Sequence, residues 1–192
     1  MHQPISPKMF YYGFPVLLLT TVDENGKPNI SPLSSSWCLG DNLVIGVGIC
    51  GKAFENLQRC PEAVVNLPDS SLWQKIEKIA SLTAKSSIPD HKKDFYQFCD
   101  DKFSYAGFTT QPSLKVKPLR IAECPLQAET TVSNITERDS YAIIELKIQQ
   151  IHAQSDLIST ENKIDPQKWH PLIYNFRSYH GLSESIGKNF RA

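Results

Sequence analysis

Val16-Leu17-Leu18-Leu19-Thr20-Thr21-Val22-Asp23-Glu24-Asn25-Gly26-Lys27-Pro28-Asn29-Ile30-Ser31 is the stretch that decides the fold class. Its first seven residues are apolar or β-branched and suit a buried strand. Asn25-Gly26 then gives the strongest short-range hairpin signal, since both residues accept the positive φ of a tight turn. A second strand is therefore expected from Pro28 to about Ser35, antiparallel to the first. Gly40-Asp41-Asn42 marks another turn and residues 43–47 a third strand. The start of the chain reads as an antiparallel meander.

Farther out, residues 52–59 read as a short helix that Cys60-Pro61 closes, because a residue before proline avoids the helical region. Residues 63–67 form a fourth strand. Ser70-Ser71 can cap a helix that puts Leu72, Ile76, Ile79 and Ala80 on one face, with Trp73 read as a core residue. Ser86-Ser87-Ile88-Pro89 breaks it, a second helical piece is expected over residues 92–99, and Tyr105-Ala106-Gly107 reads as a loop. Residues 120–135 and 141–153 form two long strands around the turn at 136–139, with Ile144, Leu146, Ile148 and Ile151 as core positions. The expected whole is mainly β with α: one domain over residues 1–192, an antiparallel β-barrel with a few peripheral helices. The aromatic stretch at residues 169–181 could cover a pocket or a partner subunit.

Bulk properties remove several function classes. Lys+Arg and Asp+Glu balance at 20 each, which argues against a broad footprint for nucleic acid or an anionic membrane. Val16-Leu17-Leu18-Leu19, the longest apolar run, is far too short to span a bilayer. The first residues lack the basic-then-apolar pattern of a signal peptide. The five cysteines are odd in number and form no CxxC, so reduced thiols in a cytoplasmic protein are expected. His152, His170 and His180 lack metal-ligand spacing, and no metal is expected.

Gly46-x-Gly48-x-x-Gly51 matches the dinucleotide-binding fingerprint, with Asp69 roughly twenty residues on. It also approaches a P-loop at Gly51-Lys52, but Ala53 stands where that motif needs a hydroxyl. Both motifs belong to parallel strand–helix units, which the Asn25-Gly26 hairpin contradicts. The shared physics survives: a helix start with free backbone N–H groups beside Lys52 favours an anion, above all a phosphate. An ordinary strand-to-helix turn with a solvated lysine remains the alternative. Ser34-Ser35-Ser36 is on its own equally compatible with a polar loop. A hydrolase is not indicated, since Gly181-Leu182-Ser183-Glu184-Ser185 fails the nucleophile-elbow pattern at its last position.

Taken together, Phe14-Pro15-Val16, Thr20-Thr21, Asn25-Gly26-x-Pro28-Asn29-x-Ser31-Pro32-x-Ser34-Ser35, Gly51-Lys52-x-x-x-Asn56-Leu57 and Val64-Val65-Asn66-Leu67 resemble the flavin reductase-like family. Arg120-Ile121-Ala122-Glu123-Cys124-Pro125 and the aromatic tail are similar to one branch of it. The resemblance implies the FMN-binding split barrel and a homodimer with FMN (or FAD) near the interface. It also implies hydride transfer from NAD(P)H, an onward acceptor such as a monooxygenase partner, and no essential acid–base residue. Ser34, Ser35, Ser36 and Trp37 would orient the flavin ring and chain. Gly51, Lys52 and Asn56 would hold the phosphate, with Asn29 and Ser31 as further contacts. Tyr174, Arg177 and His180 would face the nicotinamide or second substrate. The same barrel could also serve as a non-catalytic flavin carrier or sensor. One departure stands out: the family commonly has Thr, Ser or Asn where this chain has Ala53. A missing charge-assisted hydrogen bond there would cost about 1.5–3 kcal/mol of phosphate binding.

Overall fold

The structure is a computed structural model that describes residues 1–160 and 163–189. After a short strand, β1 (Tyr12–Pro15), the Asn25-Gly26 turn closes a hairpin between β2 (Leu17–Val22) and β3 (Pro28–Leu33). Gly26 takes φ +78°, and Asp23 Oδ1 accepts the N–H groups of Asn25 and Lys27, each at 2.8 Å. Beyond Leu33 the chain departs from the expected meander. Ser34-Ser35 is a link, and an extra strand, β4 (Ser36–Leu39), makes a second hairpin with β5 (Asn42–Gly48). Helix α1 (Lys52–Arg59) and strand β6 (Glu62–Leu67) follow as expected.

The middle of the chain is broken into short pieces. Helix α2 (Trp73–Ala80) leads to β7 (Leu82–Thr83), which pairs in parallel with β8 (Gln97–Phe98). Helix α3 (Lys102–Ala106) precedes a small pair, β9 (Thr110–Gln111) and β10 (Arg120–Ile121). Then come the long strands β11 (Leu126–Glu137) and β12 (Tyr141–Ala153), and a final hairpin of β13 (Ile173–Asn175) and β14 (Ser178–His180) that pairs with β1.

The main sheet has the order β3-β2-β6-β11-β12-β5-β4, and every neighbouring pair is antiparallel. Its two edge strands, β3 and β4, are consecutive in sequence. A two-residue link cannot cross a flat sheet of seven strands, so the sheet curls until its edges meet at Ser34-Ser35. There Gly46 N–H donates to Ser35 C=O at 2.8 Å. The inner face gathers Leu17, Leu19, Ile45, Val65, Ile144 and Leu146, closed by Phe54 and Leu57 of α1. A second core lies outside, where Leu18 and Ile30 meet Ile76 and Ile79 of α2, Phe103 of α3, Ile121 and Leu172. β2 is thus buried on both faces, which is why its sequence is a continuous apolar run rather than an alternation.

Several expectations fail for identifiable reasons. Residues 92–99 form no helix: a 3₁₀ turn at Asp90–Lys92 runs into β8. The helix comes ten residues later as α3, where a loop was expected, because Asp101 Oδ1 caps it at Ser104 N–H and Gly107 ends it at φ +67°. The strand expected from residue 120 is interrupted at Cys124-Pro125, and Ile121 N–H turns to Asn66 Oδ1 at 2.9 Å. Trp73 is 44% exposed, since α2 begins at it and it sits on the flank of the Ile76/Ile79 face. Ile144 and Leu146 are fully buried and Ile148 partly so, but Ile151 is 58% exposed. β5 pairs with β12 only as far as Lys147, so it does not cover Ile151.

A Cβ at Gly46 would sit 3.2 Å from the Ser35 Cβ, so a larger residue must push β5 away from the Ser34-Ser35 link at the start of β4. Gly46→Val is expected to lower stability by about 1–3 kcal/mol, and the melting temperature by roughly 2–4 °C for each kcal/mol. Thermal unfolding followed by circular dichroism measures this; an unchanged melting point would mean that the edge contact is not under constraint.

Candidate functional site

The curl of the sheet leaves a groove beside the Ser34-Ser35 link, and residues from six separate segments line it. One end is a cavity of about 160 Å³ lined by Ser31, Gly51, Lys52, Lys85, Lys92 and Lys102. The other is a cavity of about 340 Å³ with Ser34 and Ser35 on one wall and Tyr11, Tyr96, Tyr174 and Tyr179 around them. Pro32, Leu33, Ala80 and Tyr96 belong to both, so the two cavities form one continuous groove. One end is cationic and the other aromatic.

At the cationic end, α1 starts from Gly51 in extended conformation, φ −89°, with no side chain capping it. Its first N–H groups have no intrahelical acceptor, and the positive end of the helix dipole lies at the cavity. Lys52 Nζ is 3.0 Å from Glu55 Oε1 and 3.5 Å from Glu24 Oε2. Burial draws the Lys52 ammonium down, but these two carboxylates outweigh it and hold it above the ordinary lysine value. Lys102 differs. It is 5% exposed, donates to the Ile30 carbonyl at 2.6 Å, and is pulled by burial from 10.5 to about 8. No carboxylate pairs with it among the described residues. Ala53 also reaches this cavity, but its methyl group belongs to the inner core and offers no hydroxyl.

Behind the cationic end lies a buried polar cluster. Asn56 Nδ2 donates to Thr21 Oγ1 at 3.0 Å and Asn29 Nδ2 to Ser31 Oγ at 3.2 Å. The Oδ1 atoms of Asn29 and Asn56 are buried without a partner among the described residues. Buried acceptors of this kind normally find a donor, so the cluster has capacity for one more polar group or water. At the aromatic end, the Tyr11 hydroxyl is 3.0 Å from Ser35 Oγ and fixes that wall, while Tyr179 OH donates to Glu77 Oε2 at 2.9 Å. Burial, then Glu77, raises the Tyr179 phenol well above its ordinary value, so it remains a protonated donor.

Of the residues singled out in the sequence, Ser31, Ser34, Ser35, Gly51, Lys52 and Tyr174 line the groove. Asn29 and Asn56 stand behind it. Ser36 pairs with Ile45 in β4 and lines neither cavity; Trp37 pairs with Val44 on the outer face and is 59% exposed. Arg177 lies in an adjoining cavity, and His180 in another beside Trp73. The sequence reading missed Lys85, Lys92, Lys102, Tyr11 and Tyr96. A lysine that folding will bury looks like any surface lysine, and the one usable signal was Asp101 as a helix cap, which puts Lys102 in the first turn of α3.

The donor set fits a phosphorylated planar heterocycle: ammonium groups and free helix amides for the phosphate, hydroxyls along the middle, and phenol rings at the far end. The sequence model of the family described as "Flavin reductase like domain" matches residues 9–183. Uncharacterized protein YdfE of Bacillus subtilis (strain 168) is 47% identical over 192 aligned residues, covering 98% of this chain and 93% of that protein. Among solved structures, the flavoredoxin of Desulfovibrio vulgaris (Miyazaki F) superimposes with a TM-score of 0.85 at 16% identity, over 100% of this chain and 99% of the other. Nitrilotriacetate monooxygenase component B from Bacillus cereus gives a TM-score of 0.77 at 15% identity, over 98% and 99% of the two chains.

Lys102 would make phosphate binding at this site pH-dependent in a defined direction. A bound phosphate would favour its protonated form, so affinity would be full below about pH 8 and fall as pH rises above the ligand-free value of about 8. Folding stability runs the other way. The buried charge costs stability below about pH 8, and that cost is relieved between about 8 and 10.5, where the unfolded chain still holds its proton. FMN titrations at about pH 7 and about pH 9.5 should show weaker binding at the higher pH, and Lys102→Met should flatten the difference. An equal pH dependence in the variant would exclude Lys102 as its source.

Proposed function

The chain belongs to the flavin reductase-like family, and from that premise we propose that it binds FMN in the groove and works as an NAD(P)H-dependent flavin oxidoreductase. The continuity of a four-lysine end with a tyrosine-lined end is the observation that carries this reading. Bound flavin would supply the two-electron chemistry, accepting a hydride from NAD(P)H and passing the electrons on. The residues of the chain bind, orient and exclude water. Lys52, Lys102 and the α1 amides would hold the phosphate, with Lys85 and Lys92 adding positive charge around it. Ser31, Ser34 and Ser35 would line the ribityl chain and ring edge, and Tyr11 would keep Ser35 in place. The flavin ring would lie against Tyr96 and Tyr174. No acid–base side chain is required, and FMN, which ends in its phosphate, suits the cationic end better than the longer FAD.

The wider setting is also a proposal. Trp37 and Leu39 are exposed on the same face of the unpaired edge strand β4, a surface that a homodimer would bury. The relative that is component B of nitrilotriacetate monooxygenase motivates a monooxygenase as electron acceptor. No helix among the described residues is long and apolar enough to cross a membrane, and a cytoplasmic setting is in keeping with the unpaired cysteines.

The absorbance spectrum of the purified protein, before and after anaerobic NADH or NADPH, tests the activity. Flavin bands that bleach with either nucleotide are expected. Bands that persist would make the chain a flavin carrier or sensor, and a colourless protein that takes up no FMN would sink the reading altogether. A narrower expectation concerns Lys52→Ala, which should weaken FMN roughly tenfold or more while changing riboflavin by about twofold at most, because riboflavin has no phosphate. Equal losses for the two ligands, measured by quenching of flavin fluorescence, would place the phosphate elsewhere.

A further inference from the structure

The lysines that line the cationic end of the groove are held in different ways. Glu55 lies 3.0 Å from Lys52 Nζ and 3.5 Å from Lys85 Nζ, and Lys92 Nζ sits over the Tyr96 ring at 5.7 Å. Lys102 is 5% exposed and donates to the Ile30 carbonyl at 2.6 Å. That bond uses one of the three N–H groups of an ammonium. No carboxylate pairs with Lys102 among the described residues. It nevertheless lines a cavity of about 160 Å³, which it shares with Lys52, Ser31 and the start of α1 at Gly51. A small molecule in the groove therefore reaches this buried amine.

A lysine becomes a nucleophile when it gives up its proton, and burial without a counter-charge favours that loss. Burial pulls Lys102 to about 8, against a smaller opposing effect of the Cys99 thiol. Roughly a tenth of it is neutral at pH 7. Lys52 behaves otherwise: burial draws it down, but Glu55 and Glu24 outweigh that and keep it a fixed cation. One cavity thus joins two things that group transfer needs. A fixed cation and free helix amides can hold a phosphate, and a desolvated amine stands in the same space.

We propose that Lys102 is an acylation site, modified by short-chain acyl phosphates that the cationic end captures through their phosphate group. The phosphate of the reagent takes the place proposed above for that of FMN, at Lys52 and the first amides of α1. The neutral Lys102 nitrogen attacks the acyl carbon. An N–C bond forms, the C–O bond to the phosphate breaks, and its electron pair leaves on inorganic phosphate. The surplus proton of the amine passes to the departing phosphate, and nothing is oxidised or reduced. The product is an uncharged amide, so acylation deletes a buried cation and places an acyl chain in the cavity. FMN then loses one of the groups proposed to hold its phosphate, and flavin occupancy falls. Cys50 lines the same cavity and is the rival nucleophile. This inference rests on the anion-binding reading of the cationic end and is independent of the redox activity.

Acetyl phosphate is the probe, applied to the flavin-free wild-type chain at about pH 8, with the occupancy of each lysine read by peptide mass spectrometry. N-acetoxysuccinimide, which acetylates amines but carries no phosphate, is the comparison at matched total labelling. Acetyl phosphate is expected to label Lys102 about tenfold more than Lys52 or the exposed Lys78, whereas the succinimidyl reagent favours Lys78. Inorganic phosphate or FMN at about ten times its dissociation constant should cut Lys102 labelling roughly tenfold. The acetylated chain should bind FMN about tenfold more weakly, with riboflavin little changed. Equal labelling of Lys102 and Lys78 by acetyl phosphate overturns the inference, and leaves the flavin reading intact where FMN still binds. A Lys102 preference that both reagents share, or that inorganic phosphate does not suppress, overturns capture through the phosphate. A label that neutral hydroxylamine removes is a thioester, which moves the reaction to Cys50 and overturns Lys102 as the site. Lys102 labelling suppressed by inorganic phosphate but not by FMN upholds the inference and counts against the flavin reading.

Discussion

The hydrogen bond from Gly46 N–H to Ser35 C=O is the contact on which the groove depends. It extends the β4–β5 ladder by one rung back to the link, and so fixes where the chain that leaves edge strand β3 enters edge strand β4. A Cβ at Gly46 would meet the Ser35 Cβ at 3.2 Å, closer than ordinary contact, so the first glycine of the supposed nucleotide fingerprint has a packing role. Once the edges meet, Ser34 and Ser35 cannot be absorbed into the ladder as ordinary strand residues. Their side chains face the space between the curled sheet and the segments laid outside it. The hydroxyl wall of the groove is a by-product of sheet closure.

What the sequence made legible follows the range of the forces involved. The Asn25-Gly26 hairpin, α1 and its Cys60-Pro61 ending, and the turn at residues 136–139 are all local events. They were readable because the residues that cause them are neighbours. The meander was misread because β3 and β4 are adjacent in sequence yet occupy opposite edges, a fact set by pairing across the whole sheet. The same limit applies to the site. Ser31, Ser34, Ser35, Gly51 and Lys52 fall in one contiguous region of the sequence and line the groove together. Lys85, Lys92 and Lys102 come from the segment after α2, whose helix was expected ten residues too early. Without that placement no reading could bring these lysines to α1. Trp37 shows the opposite case: a residue next to the groove-lining loop, turned outward by strand alternation once β4 exists.

The lysines of the cationic end are not equivalent, and the difference follows from their partners. Glu55 serves Lys52 at 3.0 Å, Arg59 at 3.1 Å and Lys85 at 3.5 Å, and Glu24 adds contacts to Lys52 and Arg59. These carboxylates let several cations sit together without a ligand, and they also shield the charge that an entering phosphate would feel. Among the described residues the Lys92 ammonium meets the Tyr96 ring, at 5.7 Å, and Lys102 donates to a backbone carbonyl, with no carboxylate at either. Lys102 bears the full cost of a buried, unneutralised ammonium, and burial has already drawn its proton affinity down. A phosphate would relieve that cost directly, whereas at Lys52 it must compete with carboxylates already in place. With a phosphate in the groove, the larger share of anion selectivity would therefore fall to Lys102, although Lys52 is the residue a sequence motif points to. This also eases the difficulty posed by Ala53. A hydroxyl missing from the helix start matters less where a buried ammonium on the facing wall has no other anion to meet.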